Sequence, residues 1–233
     1  MSPAERQRFV RNLFDQVAPR YDLMNDLMSF GLHRLWKRRA VAAATASPGA
    51  AHGTIIDLAG GTGDLALALK RRCPAAHIIV VDASPGMLAV ARARGGNLLG
   101  YQEAAGEELP FPAASAEAVM LSFGLRNMTD PPRALREVSR VLKPGGRLVL
   151  LEFSKPQNWF APIYDAFSKV VIPSLGALIS GNRAAYRYLI ESISLFPDAA
   201  SISRELSAAG FDRVHCDRLM FGVAALHVAE KAR

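Results

Sequence analysis

The chain has 233 residues, half of them hydrophobic and 21% charged, a composition that excludes a disordered or fibrous polypeptide and leaves room for a substantial core. Twenty-eight Lys and Arg against 21 Asp and Glu give a net charge of +7 and a pI near 9.8, which favours contact with nucleic acid, anionic lipid or an acidic ligand without choosing among them. Cys73 and Cys216 show neither CxxC spacing nor a histidine cluster nearby, so no disulfide framework or zinc site is indicated and a reducing cytosol is the natural setting.

No apolar run follows Met1 to Arg6, so no signal peptide is expected. The first 40 residues hold much of the excess charge: Arg6, Arg8, Arg11, Arg20, Arg34, Lys37, Arg38 and Arg39 face only Glu5, Asp15, Asp22 and Asp26. This pattern reads equally as a solvated helix face or a lipid-facing patch. Helical periodicity in Phe9, Leu13, Phe14 and Val17, then in Leu23, Leu27 and Met28, leads into an Ala-rich stretch from Ala40 to Ala46, and a Ser-Pro-Gly turn at 47–49 ends it. Residues 1–50 are therefore expected to form a helical cover.

The α/β core begins at Thr54. An apolar run ends in the acid Asp57 and gives way to Gly60-Gly61-Thr62-Gly63, a glycine-rich turn into the helix-like Leu65 to Leu69. A second strand, His77 to Val81, runs into Asp82, placed where a carboxylate accepts from ribose hydroxyls. Ser84 as N-cap and Pro85 at the first helical position start a helix that Gly95-Gly96 stops. A third strand is expected near Leu98 to Gln102 and a fourth, buried on both faces, at Ala118 to Ser122. Asp130 caps a helix that ends at Lys143-Pro144-Gly145-Gly146, and Leu148 to Phe153 makes a fifth strand.

Residues 157–196 read as an interrupted helical insert, whose apolar region from Trp159 to Gly181 is broken by Pro162, Asp165, Lys169 and Pro173 and falls short of the about 20 residues of a membrane span. A helix from Asp198 to Ala209 and an antiparallel pair, Val214 to Phe221 with Val223 to Val228, close the chain. One domain over 1–233 follows, with a mostly parallel sheet, ligands at the strand C-terminal ends and a terminal hairpin unlike a second nucleotide-binding half.

The turn binds an adenosine-containing cofactor, and two fit. Gly61 to Ala66 matches the GxGxxA form of a dinucleotide site, with Asp82 lying 19 residues beyond Gly63. Asp57 at the end of the first strand argues for the other, because it would repel a pyrophosphate and welcome the ammonium and sulfonium of S-adenosylmethionine.

Several motifs at fixed spacing extend this pattern: Tyr21-Asp22-Leu23-Met24-Asn25 with Ser29, His33 and Trp36; Ser122 to Asn127; Arg140 to Gly146 continuing to Glu152-Phe153-Ser154; Tyr186 to Leu189 with Glu191-Ser192; and the closing Phe221-Gly222 and His227. From about Phe14 to Lys231 the chain resembles the ubiquinone/menaquinone biosynthesis C-methyltransferases. The resemblance implies a class I S-adenosylmethionine-dependent methyltransferase fold, Rossmann-like and seven-stranded, and methyl transfer to a ring carbon of a polyprenylated quinol, a demethylmenaquinol or a 2-methoxy-6-polyprenyl-1,4-benzoquinol.

It places the cofactor contacts on Thr62, Asp82, the Ala105-Gly106 pair near the adenine, and Ser122. Ala105 departs from the family's Asn or Asp and leaves backbone groups, Glu107 or Glu108 to hold the adenine amino group; one neutral hydrogen bond, about 0.5 to 1.5 kcal/mol, is at stake. Arg126 and Asn127 are the catalytic candidates, Arg126 stabilising a phenolate or aligning a water since arginine keeps its charge.

Tyr21, Asp22, His33 and Trp36 are candidates to close the pocket, with His33 open between general base and structural residue; Tyr186 and Tyr188 are open between ring stacking and core packing. Phe160, Ile163, Phe167, Val170, Val171, Ile172 and Leu175 of the insert offer an apolar mouth for the acceptor's tail. The expected partners are the quinol and, peripherally, the inner face of the cytoplasmic membrane, with a homodimer left open. No nucleic-acid partner is expected: an amino-directed enzyme carries Asn-Pro-Pro-aromatic where this chain has Ser122-Phe123-Gly124-Leu125, and no RNA-binding module is visible. The alternatives are a non-catalytic, cofactor-binding member of a quinone-synthesis assembly, from another class, and another small-molecule methyltransferase.

Overall fold

The computed structural model describes residues 3–17, 26, 29, 31–168 and 183–233. Helix α1 (Pro3–Val17) and helix α2 (Leu32–Thr45) precede β1 (Thr54–Leu58), α3 (Asp64–Arg72), β2 (His77–Asp82), α4 (Pro85–Gly95), β3 (Gly100–Glu103), β4 (Ala116–Ser122), α5 (Pro131–Val141) and β5 (Leu142–Phe153). A helical segment at 161–168, then α6 (Arg183–Leu195), α7 (Ala199–Ala208), β6 (Phe211–Leu219) and β7 (Ala224–Lys231) complete the order.

The strands form one seven-stranded sheet ordered β3-β2-β1-β4-β5-β7-β6. The pairings β1–β2, β1–β4, β2–β3 and β4–β5 are parallel; β7 runs antiparallel to both β5 and β6. Central β4 is buried from Ala116 through Leu121, as a strand covered on both faces must be. Edge strand β6 carries the exposed charges Asp212, Arg213, Asp217 and Arg218, which discourage pairing with another chain. Alternation along the strands sends Ile55, Ile78, Met120 and Val149 into one core, shared with Trp36, Ala40, Leu65 and Leu88 of α2, α3 and α4. Ile56, Val119, Leu121 and Leu148 enter a second core beneath α5 and α7.

The helix caps follow the sequence chemistry. Ser84 Oγ accepts from Met87 N and Asp130 Oδ1 from Arg133 N, each ahead of a proline in the first turn, and Asp198 Oδ1 accepts from Ser201 N. Two boundaries differ from expectation. The third strand starts at Gly100, because residues 96–98 continue as a 3-10 turn. Helix α5 stops at Val141 and Leu142 already pairs with Ala116; residues 143–146 then bulge out before Arg147 rejoins opposite Ala118. Glu117 anchors this bulge at the bottom of the sheet, binding Lys143 and accepting from Thr54 N, while Ser47 Oγ donates to its carbonyl.

A Cβ at Gly53 would overlap the tethered Glu117 carboxylate. Gly53→Ala should therefore lower stability by about 1–3 kcal/mol in chemical denaturation while leaving ligand affinity at the opposite end of the sheet unchanged.

Candidate methyl-donor site

The cavity opens at the C-terminal ends of β1, β2 and β4, where the strand order reverses. Its floor is the loop from Ala59 to Gly63. Gly63, at φ 76°, takes the left-handed turn that aims α3 at the cavity, a conformation a side chain would oppose. Two loops meet at Asp82: Gly61 N donates to Oδ2 and Ser84 N to Oδ1, each at 2.9 Å. Burial pushes this carboxyl up to about 6, against the pull of those N–H groups. Each oxygen keeps a second lone pair, so two vicinal hydroxyls remain acceptable donors.

Thr62, Ala105, Gly106, Ser122 and Asn127 also line the cavity, so all of the sequence-derived cofactor positions and one of the two catalytic candidates share its wall. Ser122 Oγ is buried without a hydrogen-bond partner among the described residues, a group a ligand would satisfy. Beside Ala105 the two glutamates are otherwise engaged. Glu107 lines the cavity, but its Oε1 accepts from Thr129 N at 2.6 Å and Asp130 N at 3.1 Å. Glu108 points out to Arg133, 3.6 Å away.

Asp57 does not end its strand: β1 continues to Leu58, and the side chain turns inward beneath the loop. Neither carboxylate oxygen makes a hydrogen bond among the described residues, and a Cβ at Gly60 would lie 2.9 Å from Oδ2. Burial pushes the group up to about 7, with the Ala66 N–H pulling the other way from too far for a full hydrogen bond.

Arg126, on the 3-10 turn Leu125–Asn127, stands behind the cavity wall rather than in it. Its Nη1 lies 2.9 Å from Glu152 Oε1 and also donates to the Phe123 carbonyl, and the guanidinium sits 5.1 Å over the Phe153 ring. Both side chains of the pair are almost fully buried. Glu152 accepts in addition from Phe153 N, and burial pushes its carboxyl up while Arg126 holds it down. Asn127 is the member exposed to the cavity: Tyr188 OH of α6 donates to its Oδ1 at 3.1 Å, and the Tyr188 ring meets Phe9 of α1 edge-on.

Other expected pocket residues lie elsewhere. Trp36 is in the core, and His33 lines a neighbouring cleft, its Nδ1 2.7 Å from Ser29 Oγ. Tyr21, Asp22, Val170, Val171, Ile172, Leu175 and the Tyr186 side chain fall outside the described residues. Sequence reasoning missed Val10, Arg11 and Lys37, which line the cavity from the two N-terminal helices. The i, i+4 spacing of Lys37 from His33 was the available signal.

The family model described as the ubiE/COQ5 methyltransferase family matches residues 1–231. A ubiquinone/menaquinone biosynthesis C-methyltransferase of Rubrivivax gelatinosus is 50% identical over 231 residues, covering 98% of this chain and 89% of its own. A demethylmenaquinone methyltransferase of Thermus thermophilus is 47% identical over 223 residues, covering 94% and 100%. Among solved structures, an S-adenosylmethionine-dependent methyltransferase of Thermotoga maritima aligns with TM-score 0.65 at 20% identity, covering 95% of this chain and 99% of its own. The [4+2]-cyclase SpnF aligns with TM-score 0.68 at 20% identity, covering 97% of each; these two likenesses bear on the fold. With a family model matched along nearly its whole length over a cavity of this construction, the chain belongs to the ubiE/COQ5 methyltransferase family.

Proposed function

We propose that the chain transfers a methyl group from S-adenosylmethionine to a ring carbon of a polyprenylated quinol, a demethylmenaquinol or a 2-methoxy-6-polyprenyl-1,4-benzoquinol, in quinone biosynthesis. The observation that carries this reading is a single cavity holding ribose-type acceptors at Asp82 and the unsatisfied Ser122 hydroxyl at one wall, and Asn127 beside a buried arginine at another. The bound donor supplies an electrophilic methyl on a sulfonium. Asp82 holds the ribose, Thr62 and the loop N–H groups face the methionine portion, and the Asp57 carboxylate beneath the loop favours its positive charge. Ala105 leaves the adenine amino group to backbone acceptors.

A ring carbon attacks only after the neighbouring hydroxyl has lost its proton, when charge spreads onto that carbon. Asn127, its amide fixed by Tyr188, orients the ring, and Arg126 adds positive potential behind Asn127 that favours the phenolate. Glu152 fixes the guanidinium and partly offsets its charge, so Arg126 acts across the wall.

For the acceptor's tail we infer a peripheral contact with the inner face of the cytoplasmic membrane. Among the described residues no helix is long and apolar enough to cross a membrane. Trp159, Phe160 and Phe221 form a ring cluster with centroids 4.8–5.5 Å apart, and Trp159 and Phe221 are 60% and 50% exposed. Because Phe153 pairs with Ala224, the β6–β7 turn carrying Phe221 stands at the same end of the sheet as the cavity. Met220 and Phe221 adopt φ values of 44° and 54°, unfavourable for side chains and tolerated where the ring is needed outside.

Incubation with labelled S-adenosylmethionine and each reduced quinol, followed by lipid extraction, should place label in at least one; label in neither sinks the reading. Arg126→Ala should lower kcat by about 100-fold with little change in cofactor affinity. Since that variant strands Glu152, the double variant R126Q/E152Q, which keeps a neutral pair, provides the check on folding. Asp57→Asn should weaken cofactor binding yet stabilise the free protein at pH 8. The sign follows from the raised acid: the folded state binds the extra proton between the ordinary carboxylate value of 3.8 and about 7, so its stability falls as pH rises through that window, and the variant's advantage should vanish towards pH 4. In vesicle flotation with anionic lipid, W159S/F221S should lose binding that the wild-type chain shows; equal flotation of the two would remove the patch from the account.

A further inference from the structure

We propose that the cleft between α2, α3 and α4 is a binding site for a phosphate-bearing anion. It is separate from the methyl-donor cavity except for a shared wall at Lys37, Asp64 and Leu65, and is an open cleft of about 730 Å³. Arg34, Lys37 and Arg38 line it from α2, Arg71 and Arg72 from α3, and Arg94 from α4. A flat, solvated helix face would spread these charges into water. Here three helices converge them on a concavity, where low-dielectric walls concentrate the potential.

The carboxylates present answer only part of this charge. Asp26 takes Arg34, and Asp64 takes Lys37 at 3.1 Å and Arg94 at 3.9 Å. Both acids also line the cleft, and each is paired with its cations, Asp26 with Arg34 and the partly exposed Asp64 with Lys37 and Arg94. Arg72 donates from Nε to Thr45 Oγ1. Arg38 and Arg71, which line the cleft from α2 and α3, form no ion pair among the described residues. Buried His33 contributes no charge at neutral pH, because burial and Lys37 push its pKa down. Two exposed, uncommitted guanidiniums beside the largely buried Lys37 supply the forked donors that recognise a phosphate oxygen pair. Such a group reaches the cleft either on a soluble phosphate compound or on a lipid headgroup.

The two sources separate in one experiment on the full chain. Pyrophosphate is titrated calorimetrically, and flotation is run with phosphatidylcholine vesicles with and without phosphatidic acid. R38A/R71A is compared with R133A/R136A, which removes the same charge from α5 on the opposite face of the sheet; circular dichroism verifies that both remain folded. Binding of pyrophosphate that weakens about tenfold in R38A/R71A alone supports a soluble phosphate ligand. Phosphatidic acid-dependent flotation lost in R38A/R71A alone supports the headgroup. No binding of either probe, binding unaffected by R38A/R71A, or equal weakening in both variants overturns the site. W159S/F221S leaves the cleft intact, so failure of the apolar patch and failure of the cleft register separately.

Discussion

One half-buried carboxylate joins the parts from which the cavity is made. Asp82 accepts from Gly61 in the loop after β1 and from Ser84 at the start of α4, so two loops that would otherwise move independently share one acceptor. Ser84 then does three things at once: its N–H binds Asp82, its hydroxyl caps α4 through Met87 N, and it donates to Asp15 of α1. Asp15 also accepts from Gly86 N. The cover helix α1 is thereby docked by the same hydrogen-bond chain that shapes the glycine loop, bringing Val10 and Arg11 into the cavity wall. Holding an acid half-buried in this way costs stability, and the Gly61 and Ser84 N–H groups compensate only in part. A surface aspartate could not impose this geometry, because water would compete for every one of these bonds.

Much of this was legible in the chain. Alternating strand and helix patterns, N-caps at Ser84, Asp130 and Asp198, and the terminal hairpin specified the sheet closely, because each rests on local chemistry that tertiary contacts reinforced. The bulge at 143–146 escaped because Lys-Pro-Gly-Gly is an equally good helix stop, and only the long-range pairing of Leu142 with Ala116 decides otherwise. The glycine loop with Asp82 marks the cavity, and Asp57 is legible as an acid beside the loop although its strand runs one residue further, to Leu58. Nothing local signals the Arg126–Glu152 pair. Their 26-residue separation closes only when β4 and β5 lie side by side. The uses of Glu107 and Glu108 were hidden for the same reason, since the partners come from the segment after β4 and from α5.

The buried acids give the sheet a polarity that composition conceals. A chain with net charge +7 keeps Asp57 and Glu152 buried and Asp82 half-buried at the C-terminal ends of its strands, and displays cations on α2, α3 and α4. Each acid is raised by burial. The interior of this end is thus poised to take positive charge, while the outer helices are poised to take negative charge.

The strand order also separates two kinds of contact. The C-terminal ends of β1, β2 and β3 and the loops that follow them bring Thr62, Asp82 and Gly106 to the cavity, whereas Ser122 ends β4, Arg126 and Asn127 stand on the 3-10 turn after it and Glu152 lies on β5, with Asn127 steadied by Tyr188 of α6. Hydrogen bonds knit the first group together through Asp82, and the second group through Glu152 and Asn127, with β1 and β4 as the seam between them. A change on one side of the seam is buffered from the other, because each side keeps its own hydrogen bonds.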